Sequence, residues 1–212
     1  MNIDIAYLAI AAIPVLFAIT LHEASHGYVA RYFGDPTAYQ MGRISLNPIR
    51  HIDLVGTILV PALTLLFGGI LFGWAKPVPV DYSRLRHPRD DMRWVALAGP
   101  LSNLLMAFGW AVLLKVGLST DNYFSVPLEN MAYIGININL MFMALNLLPI
   151  LPLDGGRVLF SVLPATTAQA YGRSEPYGIF ILLALIFTNL LGIWVYPIIG
   201  LFKQLISTVF FI

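Results

Sequence analysis

Six apolar runs dominate the chain, near residues 5–33, 54–74, 93–117, 131–150, 177–192 and 193–212. A helix crosses the hydrocarbon core with about 20 residues at ~1.5 Å rise each, and backbone in lipid must satisfy its own hydrogen bonds. Runs of this length therefore read as membrane helices. With 58% hydrophobic and 11% charged residues among 212, and a mean hydropathy of +0.79, the polar surface is too small for a soluble globular domain. The expectation is an all-α polytopic membrane protein. It would have about five transmembrane helices, a re-entrant or hairpin membrane segment at 54–74, and short edge strands near its active site. The first run lacks a basic leader and carries Asp4, so it reads as a retained helix rather than a cleaved signal peptide.

No polar stretch is long enough for a second domain, so residues 1–212 read as one membrane-embedded unit. Its core spans lie near 5–33, 93–117 and 131–150, with C-terminal helices over 177–212 that serve packing or gating. In the connection after the first span, "YQMGRISLNP" alternates like a short strand. In the next, prolines two apart force the chain to extend and remove ladder donors. Lys76, Pro77, Val78, Pro79 and Val80 thus read as an edge strand or extended strip. A net charge of +1 without a basic block gives no reason to expect nucleic acid as a partner. With no cysteine, any metal must be held by nitrogen and oxygen.

The stretch "LHEASHGYVA", residues 21–30, interrupts the first apolar run with charge. His22 and His26 are one helical turn apart and share a face, with Glu23 about 100° around from His22. This HExxH spacing lets two imidazoles hold one zinc while the neighbouring carboxylate acts as general base on a water that the metal activates. A charged residue in the bilayer interior costs roughly 2.5–3.5 kcal/mol, which argues for function over packing. Ser25 reads as a small packing residue rather than a nucleophile.

A catalytic zinc needs a third protein ligand and an open position. Asp35, Asp90, Asp91, Asp121, Glu129 and Glu175 lie in polar connections or at span edges, where solvation is the default. Asp154 closes the run "LMFMALNLLPILPLDGGRV", where prolines break the helix and Gly155 and Gly156 permit a close turn. It reads as third ligand, as the N-cap of a helix over 155–163, or as both. Asp53 is a weaker candidate. His51 and His87 sit in Arg-containing connections and read as solvated or interfacial histidines.

These residues resemble the site-2 proteases, intramembrane zinc metalloproteases, and among them the short bacterial and archaeal forms without PDZ or CBS domains. The likeness is carried by "HEASH" at 22–26, "AGPLSN" at 98–103, "NLLPILPLDGG" at 146–156 and "GWAKPVPV" at 73–80, in the family's order. The resemblance implies zinc on His22, His26 and Asp154, one ion per chain, with Glu23 as general base. It implies that Asn103 and Asn146 position substrate or polarise its carbonyl; interhelical hydrogen bonding is the alternative for both. It also implies that an unwound substrate helix pairs with the strip from Lys76 to Val80. Its substrates would be single-span membrane proteins or remnant signal peptides, in a prokaryotic cell membrane. A non-proteolytic protein that binds or transports divalent metal is the competing reading.

Both halves of the metal site must reach one side of the membrane. If every apolar run crossed once, the C-terminal ends of the first span and of 131–150 would lie on opposite faces. The conflict disappears if 54–74 makes no net crossing, which Pro61, Gly68 and Gly69 would allow. Arg31, Arg43, Arg50, Lys76, Arg84, Arg86, Arg89, Arg93, Arg157 and Arg173 then share one face. The positive-inside rule puts that face and the active site at the cytoplasm.

Overall fold

The computed structural model describes residues 5–59 and 75–212. These form eight α-helices: α1 (Ile5–Tyr32), α2 (Thr37–Gln40), α3 (Pro88–Ser119), α4 (Ser125–Asn146), α5 (Asp154–Val162), α6 (Ala165–Gly172), α7 (Gly178–Phe187) and α8 (Leu191–Phe210). Short turns of 3₁₀ or π type lie at Pro48–His51, Leu54–Leu59, Tyr82–Arg84 and Glu175–Tyr177. The expected 54–74 segment lies, beyond Leu59, outside the described residues.

Helix α3 is the centre of the molecule, packed against α1, α4 and α5. Its contact faces are built from small residues: Ala18, Ala24 and Ala30 on α1, Ala96, Ala107 and Ala111 on α3, Ala132 and Ala144 on α4, all buried. Helices in an apolar solvent gain little by hiding leucine from lipid, so close approach across small side chains holds them together. Phe17, Leu105, Tyr196 and Phe180 face outward, the surface that contact with lipid requires. Helix α8 closes the far end, where Ile206 joins Ala107, Ala111, Ile136, Leu140 and Met143 in one cluster. The packing role expected of the C-terminal region is met there, and Trp194 adds a hydrogen bond to the Ala144 carbonyl at 3.2 Å.

Among the described residues three helices are long and apolar enough to cross a membrane, at Ala9–Tyr32, Pro88–Ser119 and Leu191–Phe210. The 22 residues of α4 span ~33 Å at helical rise. The expected span at 177–192 is corrected: α7 has only 10 residues, ~15 Å of helix against a ~30 Å core. Asn189, in the left-handed region at φ 57°, separates it from α8. The expected strands are also not formed among the described residues, and 76–80 is neither helix nor strand.

The chain between α1 and α3 leaves and returns at one level. Arg86 N–H donates to the Phe33 carbonyl at 2.9 Å, and Lys76 N–H donates to the His51 carbonyl at 2.9 Å. His51 and Lys76 are thus held side by side. Asp35, expected to be solvated, is fully buried. Its carboxylate accepts from the N–H and hydroxyl of Thr37 and from Asp81 N–H at 2.7 Å, tying the end of the strip to the end of α1. Asp91 is likewise buried and accepts the His87 N–H at the start of α3.

Leaving those donors buried and unpaired costs about 1–3 kcal/mol. Asp35→Ala should lower the melting temperature in detergent clearly, and Asp35→Asn, which keeps one acceptor oxygen, should lower it less. Equal melting of Asp35→Ala and wild type would refute the clamp.

Candidate active site

Helix α1 presents His22 and His26 one turn apart, and α3 approaches them at Gly99. A Cβ at Gly99 would lie 2.5 Å from atoms of both imidazole rings, so a side chain there is incompatible with the rings as placed. Two acceptors on α3 flank that contact. His26 Nδ1 lies 2.7 Å from the Val95 carbonyl, and His22 Nδ1 lies 2.6 Å from Asn103 Oδ1. A carbonyl can only accept, so His26 carries its proton on Nδ1. The Asn103 NH₂ is committed to the Ala18 carbonyl at 3.3 Å, which leaves Oδ1 for His22, so this imidazole too is protonated at Nδ1. Both Nε2 atoms then present lone pairs, 3.1 Å apart.

Helix α5 brings the third group. Asp154 Oδ2 lies 3.3 Å from His22 Nε2, and Oδ1 lies 3.4 Å from His26 Nε2. Gly155 makes this possible, because a Cβ there would fall on the Leu147 carbonyl. Asp154 is the first helical residue, with Leu153 at the N-cap, and no side-chain cap is formed. The N-cap role is therefore not taken, and Asp154 Oδ2 is buried without a hydrogen-bond donor. Three possible ligand atoms converge within 4.8 Å of one another, an arrangement that can hold a metal cation. Tetrahedral zinc ligands at about 2.0–2.1 Å from the ion stand ~3.3–3.4 Å from one another, close to the spacings here. His22, His26 and Asp154 are the group of this kind found among the described residues.

Glu23 is half-buried, and its Oε2 accepts the Val78 N–H at 2.7 Å. The strip is thus fastened to the helix that carries both imidazoles, and Oε1 is left for other work. Arg43 donates to the carbonyls of Lys76 and Pro77 from the other direction. Tyr82, in the turn after the strip, lies 5.7 Å beneath the Arg157 guanidinium. Burial pushes its hydroxyl up to about 12, against the opposing pull of Arg157, so it keeps its proton.

The other expected residues are placed as follows. Asn103 is fully buried, its amide spent on protein partners. Asn146 ends α4, half-buried, and donates to the Phe142 carbonyl at 3.0 Å. Asp53 accepts from the Val55 and Gly56 N–H groups and is not in the His–His–Asp group. Ser25 bonds back to the Leu21 carbonyl, as a packing serine does. His87 is exposed, but His51 is buried at 2% with Nε2 on the Ser45 carbonyl, which overturns the solvated alternative of its solvated-or-interfacial reading. Sequence reasoning missed the Val95 carbonyl, which no side-chain pattern could mark, and Gly99, which the Gly-Pro pair at 99–100 did signal.

Residues 116–189 match peptidase family M50. The chain is 37% identical over 202 residues to YwhC of Bacillus subtilis, named as a zinc metalloprotease, covering 93% of this chain and 89% of that protein. It is 30% identical over 188 residues to Rip2 of Mycolicibacterium smegmatis, which carries the same description, covering 87% of this chain and 69% of the relative. No solved structure matches the chain. The chain belongs to peptidase family M50, the site-2 protease family of membrane zinc metalloproteases. Zinc is the ion that its donor set and its relatives share.

Two substitutions test the geometry. Gly99→Ala should weaken zinc binding at least tenfold in a chelator competition, because the added methyl must displace both imidazoles; unchanged affinity would contradict the close approach. Val78→Pro removes the N–H that holds Glu23 and should lower kcat about tenfold with KM little changed, whereas Val78→Ala, which shortens the side chain but keeps the N–H, should stay closer to wild type. Equal kcat in the two variants would separate the strip from Glu23.

Proposed function

We propose that the protein is an intramembrane endopeptidase that hydrolyses peptide bonds in or near transmembrane segments. His22, His26 and Asp154 hold the zinc and Glu23 is the general base. The observation that carries this reading is the convergence of two imidazole nitrogens and a carboxylate beside a second carboxylate with one oxygen uncommitted. When bound, zinc supplies Lewis acidity, bringing the pKa of a water toward ~7 and polarising the scissile carbonyl. Glu23 Oε1 takes the proton of the attacking water and delivers it to the departing amide nitrogen, while Oε2 stays on Val78 N–H. Asn103 orients His22. Asn146, with one amide proton on Phe142, has a second with which to polarise a substrate carbonyl.

The substrate is a single-span membrane protein or a remnant signal peptide, locally unwound and laid beside the strip from Lys76 to Val80. The cluster of arginines on the connections at the active-site end supports placing that end at the cytoplasm, in a prokaryotic cell membrane. Purified protein in detergent, offered a panel of tagged single-span substrates, should cleave only when zinc is present. Glu23→Gln should keep one zinc per chain and lose about 10²–10⁴-fold in kcat, while His22→Ala and Asp154→Ala should lose the metal. A Glu23→Gln protein that cleaves at the wild-type rate would end the assignment.

A further inference from the structure

One buried polar chain runs from α4 through α3 to the metal site. Asn139 and Asn103 are fully buried and His22 is 8% exposed. Asn139 Nδ2 donates to the Gly135 carbonyl at 2.8 Å, and Asn103 Nδ2 donates to Asn139 Oδ1 at 2.9 Å. His22 Nδ1 completes the chain at 2.6 Å from Asn103 Oδ1. We propose that Asn139 is a positioning residue for the zinc centre: it locks the Asn103 amide, and through it holds the His22 imidazole with Nε2 turned to the metal. This rests on His22 being a zinc ligand.

Each orientation forces the next. The Gly135 carbonyl only accepts, so it sets which end of the Asn139 amide faces its own helix. Asn139 Oδ1 then points across to α3, where only an NH₂ group can answer it. The Ala18 carbonyl takes the other Asn103 proton, so Asn103 Oδ1 must face His22. Turning Asn139 over would set oxygen against oxygen at Gly135 and NH₂ against NH₂ at Asn103, and turning Asn103 over would set its oxygen against those of Asn139 and Ala18, in a fully buried pair. A pair serving only to hold α3 to α4 could stop at Asn103 and Asn139. Here the determined orientation continues to an imidazole whose Nε2 faces Asp154, and partners behind a metal-binding histidine typically govern affinity by 10–100-fold.

The test uses the full chain in detergent, with zinc affinity measured by chelator competition, cobalt(II) absorption as a probe of the ligand field, and melting of the metal-free protein. Asn139→Ser can still bond to the Gly135 carbonyl but is too short to reach Asn103. Asn139→Asp, protonated in this buried site, can donate to Gly135 and accept from Asn103. The serine variant should bind zinc about 10–100-fold more weakly with an altered cobalt spectrum, and the aspartate variant should stay near wild type. Asn137→Ser, on the same helix but bonded only to the Tyr133 carbonyl, should not change affinity. In an Asn103→Ala background, Asn139→Ser should add no further loss.

A serine variant that melts earlier yet binds zinc like wild type, or losses that add with Asn103→Ala, would overturn the proposal. Asn139→Ala takes the place of the serine variant if that protein is not recovered folded. His22→Ala, measured alongside, separates the two levels: if it leaves zinc affinity intact, the ligand assignment fails, and if it alone weakens binding, only the role of Asn139 fails.

Discussion

Two protons decide the chemistry of this protein, the Nδ1 protons of His22 and His26. Helix α3 takes both, one on the Val95 carbonyl and one on Asn103, and so turns both Nε2 lone pairs toward Asp154. Much of the architecture serves that contact. Helix α3 must come within reach of imidazole rings rather than rest on their outer atoms, so Gly99 stands at the crossing and alanines line the interface on either side. Helix α5 must start close against the turn that follows α4, so Gly155 follows the carboxylate directly. Small residues and a precise polar contact are two sides of one requirement, since hydrogen bonds of 2.6–2.7 Å cannot form across bulky packing.

The loop from α1 to α3 is organised around a different device. Backbone N–H groups on the strip and its flanks are received by groups near α1: Lys76 by the His51 carbonyl, Val78 by Glu23, Asp81 by Asp35 and Arg86 by Phe33. Two of these acceptors are carboxylates, whose bonds to N–H are stronger than those of a carbonyl. A segment too rich in proline to build a ladder is held in place without one. Because one of those carboxylates is Glu23, the strip and the helix that carries both imidazoles are positioned together.

The side chains that meet at the metal site were legible because their spacing is a helical property: His22 and His26 on one face is arithmetic, and Asp154 stood out as a carboxylate at a helix break. The class of fold followed from the apolar runs. Burial in the connections was not legible. Asp35 and His51 lie in polar stretches that look solvated, and only the tertiary return of the chain encloses them. The run at 177–192 is apolar throughout most of its length, yet a left-handed Asn189 ends the helix early, a local conformation that hydropathy does not register. That 76–80 forms no strand has a reason already in the composition, since alternate prolines remove donors that a ladder requires. The orientation of Asn139 depends on a backbone carbonyl one turn away and on a partner helix, neither of which leaves a pattern in one chain.

The prolines of the strip have a consequence for strand pairing. Lys76 and Val78 have their N–H groups on His51 and Glu23, and Pro77 and Pro79 have none. From Lys76 to Pro79 the backbone therefore has no N–H left to give, and a strand laid against it can only donate. The two-way exchange by which bare sheet edges zip together is closed to it.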